Sequence, residues 1–267
     1  MKLNIYHRTE YHYESNVHHS IHELRLIPQN DEGQIINKWK IYAPSALTQS
    51  IDSFGNLCHQ FVIDSNYRDM IIEAEGEVVS EDAYEFKDGI DAVSPYYSLQ
   101  TTKLTESTHE MLKFFQPDYK QLNCPEGLIS LSKLIQGKIK YTPGSTNFST
   151  TAIQSFNLEA GVCQDHAHIM LSLCRAVGVP ARYVSGYFYE IDIKNLASHA
   201  WVDVCINPDA GDWISIDITN ACMTDKRHVR LATGRDYSSA APVKGFRSGG
   251  GVEELQARVT ITESIEI

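Results

Sequence analysis

The feature that most constrains this chain is a change of period. Met70, Ile72, Ala74, Gly76 and Val78 alternate with Ile71, Glu73, Glu75, Glu77 and Val79, and Leu3, Ile5, His7, Thr9, Tyr11 and Tyr13 alternate with more polar residues. A period of two sends successive side chains to opposite faces of a strand, and the acidic outer set fits a half-buried antiparallel strand. Asp52-Ser53-Phe54-Gly55-Asn56 separates two such runs and reads as a hairpin turn, with Gly55 or Asn56 supplying the positive φ. Residues 1–80 are therefore expected to form an all-β sheet or small sandwich.

Beyond residue 80 the period changes. Residues 81–104 are polar and irregular and read as a linker. Ser107-Thr108-His109-Glu110 then matches a capping box with Met111, Phe114 and Phe115 behind it. A second helix is expected from Pro125, with Leu128, Leu131, Ile135 and Ile139 facing inward, ending in the turn Tyr141-Thr142-Pro143-Gly144. The core defined by these patterns runs over 105–248. In the tail, 249–267, Gly249-Gly250-Gly251 reads as a flexible loop with no helix after it to make a phosphate cradle. Val259, Ile261, Ile265 and Ile267 then suggest a last strand returning to a sheet.

Within that core one stretch carries chemistry. Gly161-Val162-Cys163-Gln164-Asp165-His166-Ala167-His168 leads into apolar residues at Met170, Leu171, Cys174 and Val177, one face of a helix that Gly178 and Pro180 close. Cys163 thus falls at a helix N-terminus, where unpaired N–H groups and the macrodipole favour negative charge. Such a place suits a thiolate nucleophile and, later, an oxyanion. The Cys163 backbone N–H and Gln164 are oxyanion candidates by position, and Gln154 could equally project there. His166 and His168 read as packing or hydrogen-bonding residues.

Two strand patterns downstream supply partners. Along Ser198-His199-Ala200-Trp201-Val202-Asp203-Val204-Cys205, His199, Trp201 and Asp203 share one face; along Trp213-Ile214-Ser215-Ile216-Asp217, Trp213, Ser215 and Asp217 do. If these strands are neighbours with that face toward the Cys163 helix, His199 and Asp217 lie side by side. An imidazole between a thiol and a carboxylate is what nucleophilic thiol chemistry needs: His199 as base or ion-pair partner, Asp217 to set its orientation and protonation. His228 and Arg230, with Asp236 and Tyr237, are placed along the cleft.

Composition narrows the rest. A formal charge of −11 argues against nucleic acid or an anionic membrane as partner. No run approaches the ~18 apolar residues of a membrane span. Lys2, Arg8, Glu10 and Glu14 interrupt any signal-peptide pattern, so a cytoplasmic location is expected. The six cysteines are scattered without a CxxC pair, which predicts free thiols and no structural zinc. His7, His12, His18, His19 and His22 match no ligand spacing and read as solvated or strand-face residues. No cofactor and no metal are expected.

Gly161-Val162-Cys163-Gln164-Asp165, Ser198-His199-Ala200-Trp201-Val202 and Asp217-Ile218-Thr219-Asn220 resemble the three core motifs of the bacterial transglutaminase-like superfamily. Tyr141-Thr142-Pro143-Gly144, the run from Gly178 to Tyr187, and Gly234-Arg235-Asp236-Tyr237 with Pro242-Val243 are also similar to its core, and the β-module is similar to the one that precedes this core in many bacterial members. The resemblance implies an α+β, papain-like core, a catalytic helix packed on an antiparallel sheet, behind an all-β N-terminal domain. It implies Cys163 as nucleophile, His199 as base and Asp217 as orienting carboxylate. Ile218 stands where the family usually has proline, which alters the strand exit and leaves the carboxylate. Trp201, Gln164 and Tyr187 are candidates for substrate contact. The expected activity is a cysteine peptidase or amidase acting on a protein or peptide through a thioester. The alternatives are a transglutaminase with an amine acceptor and a non-catalytic scaffold on the same core. The preference for hydrolysis rests on the absence of an obvious calcium loop.

Overall fold

A computed structural model describes residues 1–89, 92–191 and 198–264. Its elements in chain order are β1 (Lys2–Leu24), β2 (Gln34–Tyr42), β3 (Thr48–Ile51), β4 (Leu57–Ile63), β5 (Tyr67–Ser80), β6 (Glu85–Lys87), α1 (His109–Phe115), α2 (Pro125–Lys138), β7 (Lys140–Tyr141) and α3 (Ala152–Leu158). Then follow β8 (Ala160–Gly161), α4 (Cys163–Ala176), β9 (Ala181–Phe188), β10 (His199–Asn207), β11 (Asp212–Asp217), β12 (Cys222–Met223), β13 (His228–Gly234), α5 (Tyr237–Ala240), β14 (Val243–Gly249) and β15 (Glu253–Glu263). With helices on one antiparallel sheet and a second, all-β sheet ahead of them, the fold is α+β.

The period-two runs build the first sheet. Leu3, Ile5, His7, Thr9 and Tyr13 of β1 are buried, as are Met70, Ile72, Ala74 and Val78 of β5, while Ile71 and Glu75 face out. Gly76 sits opposite Trp39, and a Cβ there would lie 2.3 Å from the indole, so the glycine makes room for the ring. Gly55, at φ +80°, turns β3 into β4, and Asp52 accepts the Phe54 and Asn56 N–H groups. At 23 residues, β1 serves two halves of the sheet. Its first part lies between β5 and β15, its last part between β4 and β14. The two final strands of the chain thus complete the sheet that the first strand begins. Ile261 lies on β15; Ile265 and Ile267 are outside the described residues.

The second sheet runs β12-β11-β10-β9-β13, all antiparallel, with β6 added along β11. Residues 81–104 therefore include a strand, Glu85–Lys87, and two 3₁₀ turns at Pro95–Leu99 and Lys103–Thr105. Three residues are too short to display a period. Helices α2 and α4 pack on one face of this sheet through Leu128, Leu131, Ile135, Ala167, Met170 and Leu171, against Ala200, Val202, Val204, Ile214 and Ile216, while α1 packs on α2 and α3 on α4. Thr108 caps α1, its Oγ1 accepting the Met111 N–H at 3.2 Å. Gly178, at φ +81°, ends α4 as expected: its N–H and that of Val179 reach back to the Arg175 and Cys174 carbonyls.

The sheets meet where Leu3, Ile5, Val78 and Val259 pack against Tyr187, Val229 and Leu231. Strand β13 is an edge of the second sheet, and the N-terminal module covers that edge with two side-chain amides. Gln34 accepts the Arg230 N–H at 2.8 Å and donates to its carbonyl at 2.9 Å; Asn56 does the same for Thr233 at 2.8 and 2.7 Å. Two amides take the place of a neighbouring strand, which leaves β13 no free edge at those positions.

Candidate active site

Cys163 is the first residue of α4 and only 9% exposed. The helix starts there because Asp165 turns back to accept the Val162 N–H at 2.8 Å and the Thr146 hydroxyl at 2.7 Å. Gly161 makes that return possible by its size: a Cβ would lie 2.6 Å from the Asp165 Cβ. The Asp165 and His166 N–H groups bond the Val162 carbonyl, whereas those of Cys163 and Gln164 have no acceptor among the described residues. Two donors thus point out of the helix start beside the thiol.

His199 opens β10 and Asp217 closes β11, and register pairs Val202 with Ile216. The strands are neighbours, and His199 Nε2 lies 2.7 Å from Asp217 Oδ2. The expected facing was wrong, however. The face carrying His199, Trp201 and Asp217 points away from α4, because the helix takes the more apolar face of Ala200, Val202 and Ile216. The thiol still acts on the ring of His199, which is the first residue of its strand, at the sheet's end.

Asp217 is fully buried and accepts four hydrogen bonds: His199 Nε2, His228 Nε2 at 3.1 Å, Asn220 Nδ2 at 2.7 Å and the Asn220 backbone N–H at 3.1 Å. Burial would raise its pKa, but the charge and hydrogen bond of His199 and the hydrogen bond of His228 overcome that and hold it well below the usual carboxylate range. Burial would likewise discharge His199. The Asp217 charge and hydrogen bond, with a smaller contribution from Cys163, lift it to about 10 instead. At neutral pH the site holds an imidazolium against a carboxylate, with the other ring nitrogen left for the thiol.

His166 ties this corner together, its Nδ1 3.1 Å from the Thr219 hydroxyl and its Nε2 3.1 Å from the Ile139 carbonyl. His168 Nε2 accepts the Tyr237 N–H at 3.2 Å. Both act as hydrogen-bonding residues of the helix. Tyr141, held opposite Gly161 by the β7–β8 bridge and half exposed, stands beside the site; the sequence marked it as part of a turn, and two-residue strands gave no sign of this pairing.

The three candidates for substrate contact separate. Gln164 follows the thiol and donates to the Phe148 carbonyl at 3.3 Å. Tyr187 is corrected: it is fully buried between the sheets, its hydroxyl 2.9 Å from His7 Nδ1, and has no surface for a substrate. Trp201 is corrected too. At 1% exposure it underlies the histidines, 6.3 Å from the His199 ring and 5.4 Å from that of His228. Gln154 is engaged with Thr151 at the start of α3. Arg230 turns away to Asp203, at 2.6 and 2.9 Å, which Arg182 also binds.

His199, Asp217 and His228 bring ligand-type atoms within 4.8 Å of one another. Two imidazoles and a carboxylate would suit zinc. The protons are placed otherwise: the Asp225 N–H donates to His228 Nδ1 at 3.1 Å, so His228 carries its proton on Nε2 and has no lone pair there for an ion. The six cysteines are all free thiols.

Comparison with known proteins agrees with this architecture. Residues 117–218 match the model of the transglutaminase-like superfamily, and residues 3–79 that of the bacterial transglutaminase-like N-terminal region. An uncharacterized protein of Mycobacterium leprae is 27% identical over 98% of both chains. A protein-glutamine gamma-glutamyltransferase of Pseudomonas aeruginosa is 30% identical over 36% of this chain and 16% of its own. Among solved structures, one described as "a putative cysteine protease from Cytophaga hutchinsonii" superposes with a TM-score of 0.69 at 20% identity, covering 100% of this chain and 92% of that one. The chain therefore belongs to the transglutaminase-like superfamily, with the bacterial N-terminal region ahead of its core.

Proposed function

We propose that the protein is a thiol-dependent acyl-transfer enzyme that cleaves peptide or side-chain amide bonds, with Cys163 as nucleophile, His199 as acid and base, and Asp217 as its orienting carboxylate. The observation that carries this reading is the 2.7 Å contact between His199 and Asp217 at the mouth of the helix that Cys163 begins. The Cys163 sulfur attacks the amide carbon, and the oxygen that becomes negative is met by the Cys163 and Gln164 N–H groups. His199, held protonated by Asp217, gives its proton to the departing nitrogen, leaving a thioester and a neutral imidazole. That imidazole then takes a proton from the second nucleophile as it attacks, which releases the acyl group and restores the imidazolium.

Water as second nucleophile makes the enzyme a peptidase or amidase, the reading we favour. An amine makes it a transglutaminase, and the segment of 30% identity to the gamma-glutamyltransferase supports that second reading. Incubation with a panel of peptides, with and without a primary amine, tests both. The expected result is turnover lost in Cys163→Ala, with hydrolysed product prevailing over amine conjugate. Turnover that survives Cys163→Ala rules the mechanism out, conjugate as main product makes it a transglutaminase, and binding without turnover makes it a scaffold.

A further inference from the structure

We infer that His228 is a further positioning residue of this site: its Nε2–H holds the Asp217 carboxylate in place for His199. This rests on the triad reading above and adds to it a fourth side chain from a separate strand. His228 opens β13 and pairs with Phe188 of β9; the same strand pairs Gly186 with His199. The three-strand register thus brings two histidines onto one face around one carboxylate.

The direction of each hydrogen bond follows from the donors. Two groups of Asp225 face Nδ1, the backbone N–H at 3.1 Å and a carboxylate oxygen at 3.4 Å; the closer N–H makes Nδ1 an acceptor, and Nε2 carries the hydrogen toward Asp217 Oδ2 at 3.1 Å. Asp225 is fixed in turn by Arg227, whose guanidinium spans both carboxylate oxygens at 3.0 and 2.6 Å. Phe188 and Trp201 enclose the His228 ring at 4.7 and 5.4 Å, and its side chain is 2% exposed. A ring so enclosed keeps one orientation, and the tautomer is set from behind.

The site needs such a donor. His199 gives up its proton during the reaction, and its hold on Asp217 weakens at that moment. A buried carboxylate that loses the positive charge facing it tends to turn or take up a proton. His228 and Asn220 keep donating while His199 changes state, so Asp217 stays ionised and aimed for the second half-reaction.

Two amide replacements separate positioning from packing. In His228→Gln the side-chain amide nitrogen can reach the place of Nε2, whereas the shorter amide of His228→Asn falls near Nδ1 and cannot reach Asp217. The readouts are the rate at which iodoacetamide labels Cys163, followed by peptide mapping across pH, and the thermal midpoint of each variant. Labelling is expected to fall about tenfold in His228→Asn, the size of a lost hydrogen bond to a charged group, and to stay within about threefold of wild type in His228→Gln. Equal labelling in both variants overturns the inference, whether both match wild type or both fall together as packing would require. His199→Ala is the separate control: if it leaves Cys163 labelling unchanged, the triad reading fails and this inference with it. If it abolishes labelling while His228→Asn does not, only His228 is removed from the site.

Discussion

Burial alone would strip the proton from His199, and the Asp217 carboxylate keeps it there to a pKa of about 10. The raised value is an interaction that is complete below the ordinary histidine pKa of ~6.5 and lost as pH rises through about 10. Asp217 is the mirror case. Its lowered value is stability present above the ordinary carboxylate range and lost on acidification. Between those limits the pair is charged, and Cys163 has its partner. Asp217→Asn tests this at the scale of one atom: the amide keeps the shape and removes the charge. The alkaline limb of turnover should move down from near 10 toward ~6.5, and its plateau should fall by about 10²-fold or more. A limb that stays put would assign the His199 shift to something other than Asp217.

At the level of elements, the start of α4 depends on what Gly161 lacks. Gly161→Ala would place a methyl group 2.6 Å from the Asp165 Cβ and push the capping carboxylate off the Val162 N–H. Overpacking with a lost cap should cost about 1–3 kcal/mol in chemical denaturation and slow Cys163 labelling, since the helix would no longer begin at the thiol. Unchanged stability would show that the cap is dispensable. This element was legible in the sequence: Gly161, Cys163 and the run to Val177 mark start, site and face. The strands were legible too, because Val202 and Ile216 alternate with His199 and Asp217. Which face the helix covers was not, since Trp201 and Trp213 make the other face look as apolar as the true core side. Only packing reveals that Trp213 instead meets Arg182, 4.2 Å above its ring. His228 was legible as a cleft residue, but its role on the carboxylate was not. Its partner Asp217 lies on another strand, and no local spacing records that β13 comes to lie beside β9.

Across the whole molecule, the N-terminal module holds three histidines that burial drives toward the neutral form, His59 among them. His7 lies against Tyr187 at the joint of the sheets and His22 stacks on Phe61 at 4.8 Å; burial pushes both down to about 4. The unfolded chain takes up their protons near ~6.5, so stability is complete above that pH and declines as pH falls toward 4. Thermal midpoints measured from pH 7.5 to 4.5 should fall, and His22→Phe, which fills the same space with a ring that cannot charge, should flatten the decline. His22 suits the substitution because neither of its nitrogens has a hydrogen-bond partner among the described residues. The same slope in the variant would shift the cause to His7, His59 and the carboxylates.

The long first strand has a consequence for how the molecule is made. Lys2–Leu24 leaves the ribosome more than 200 residues ahead of its partners β14 and β15, with Leu3 set opposite Glu263. The helices and strands around Cys163 complete their contacts earlier in synthesis, while β1 waits with one edge unpaired. An unpaired strand edge recruits other strands, so the period between the birth of β1 and the arrival of Glu253–Glu263 is when a nascent chain would most need a chaperone.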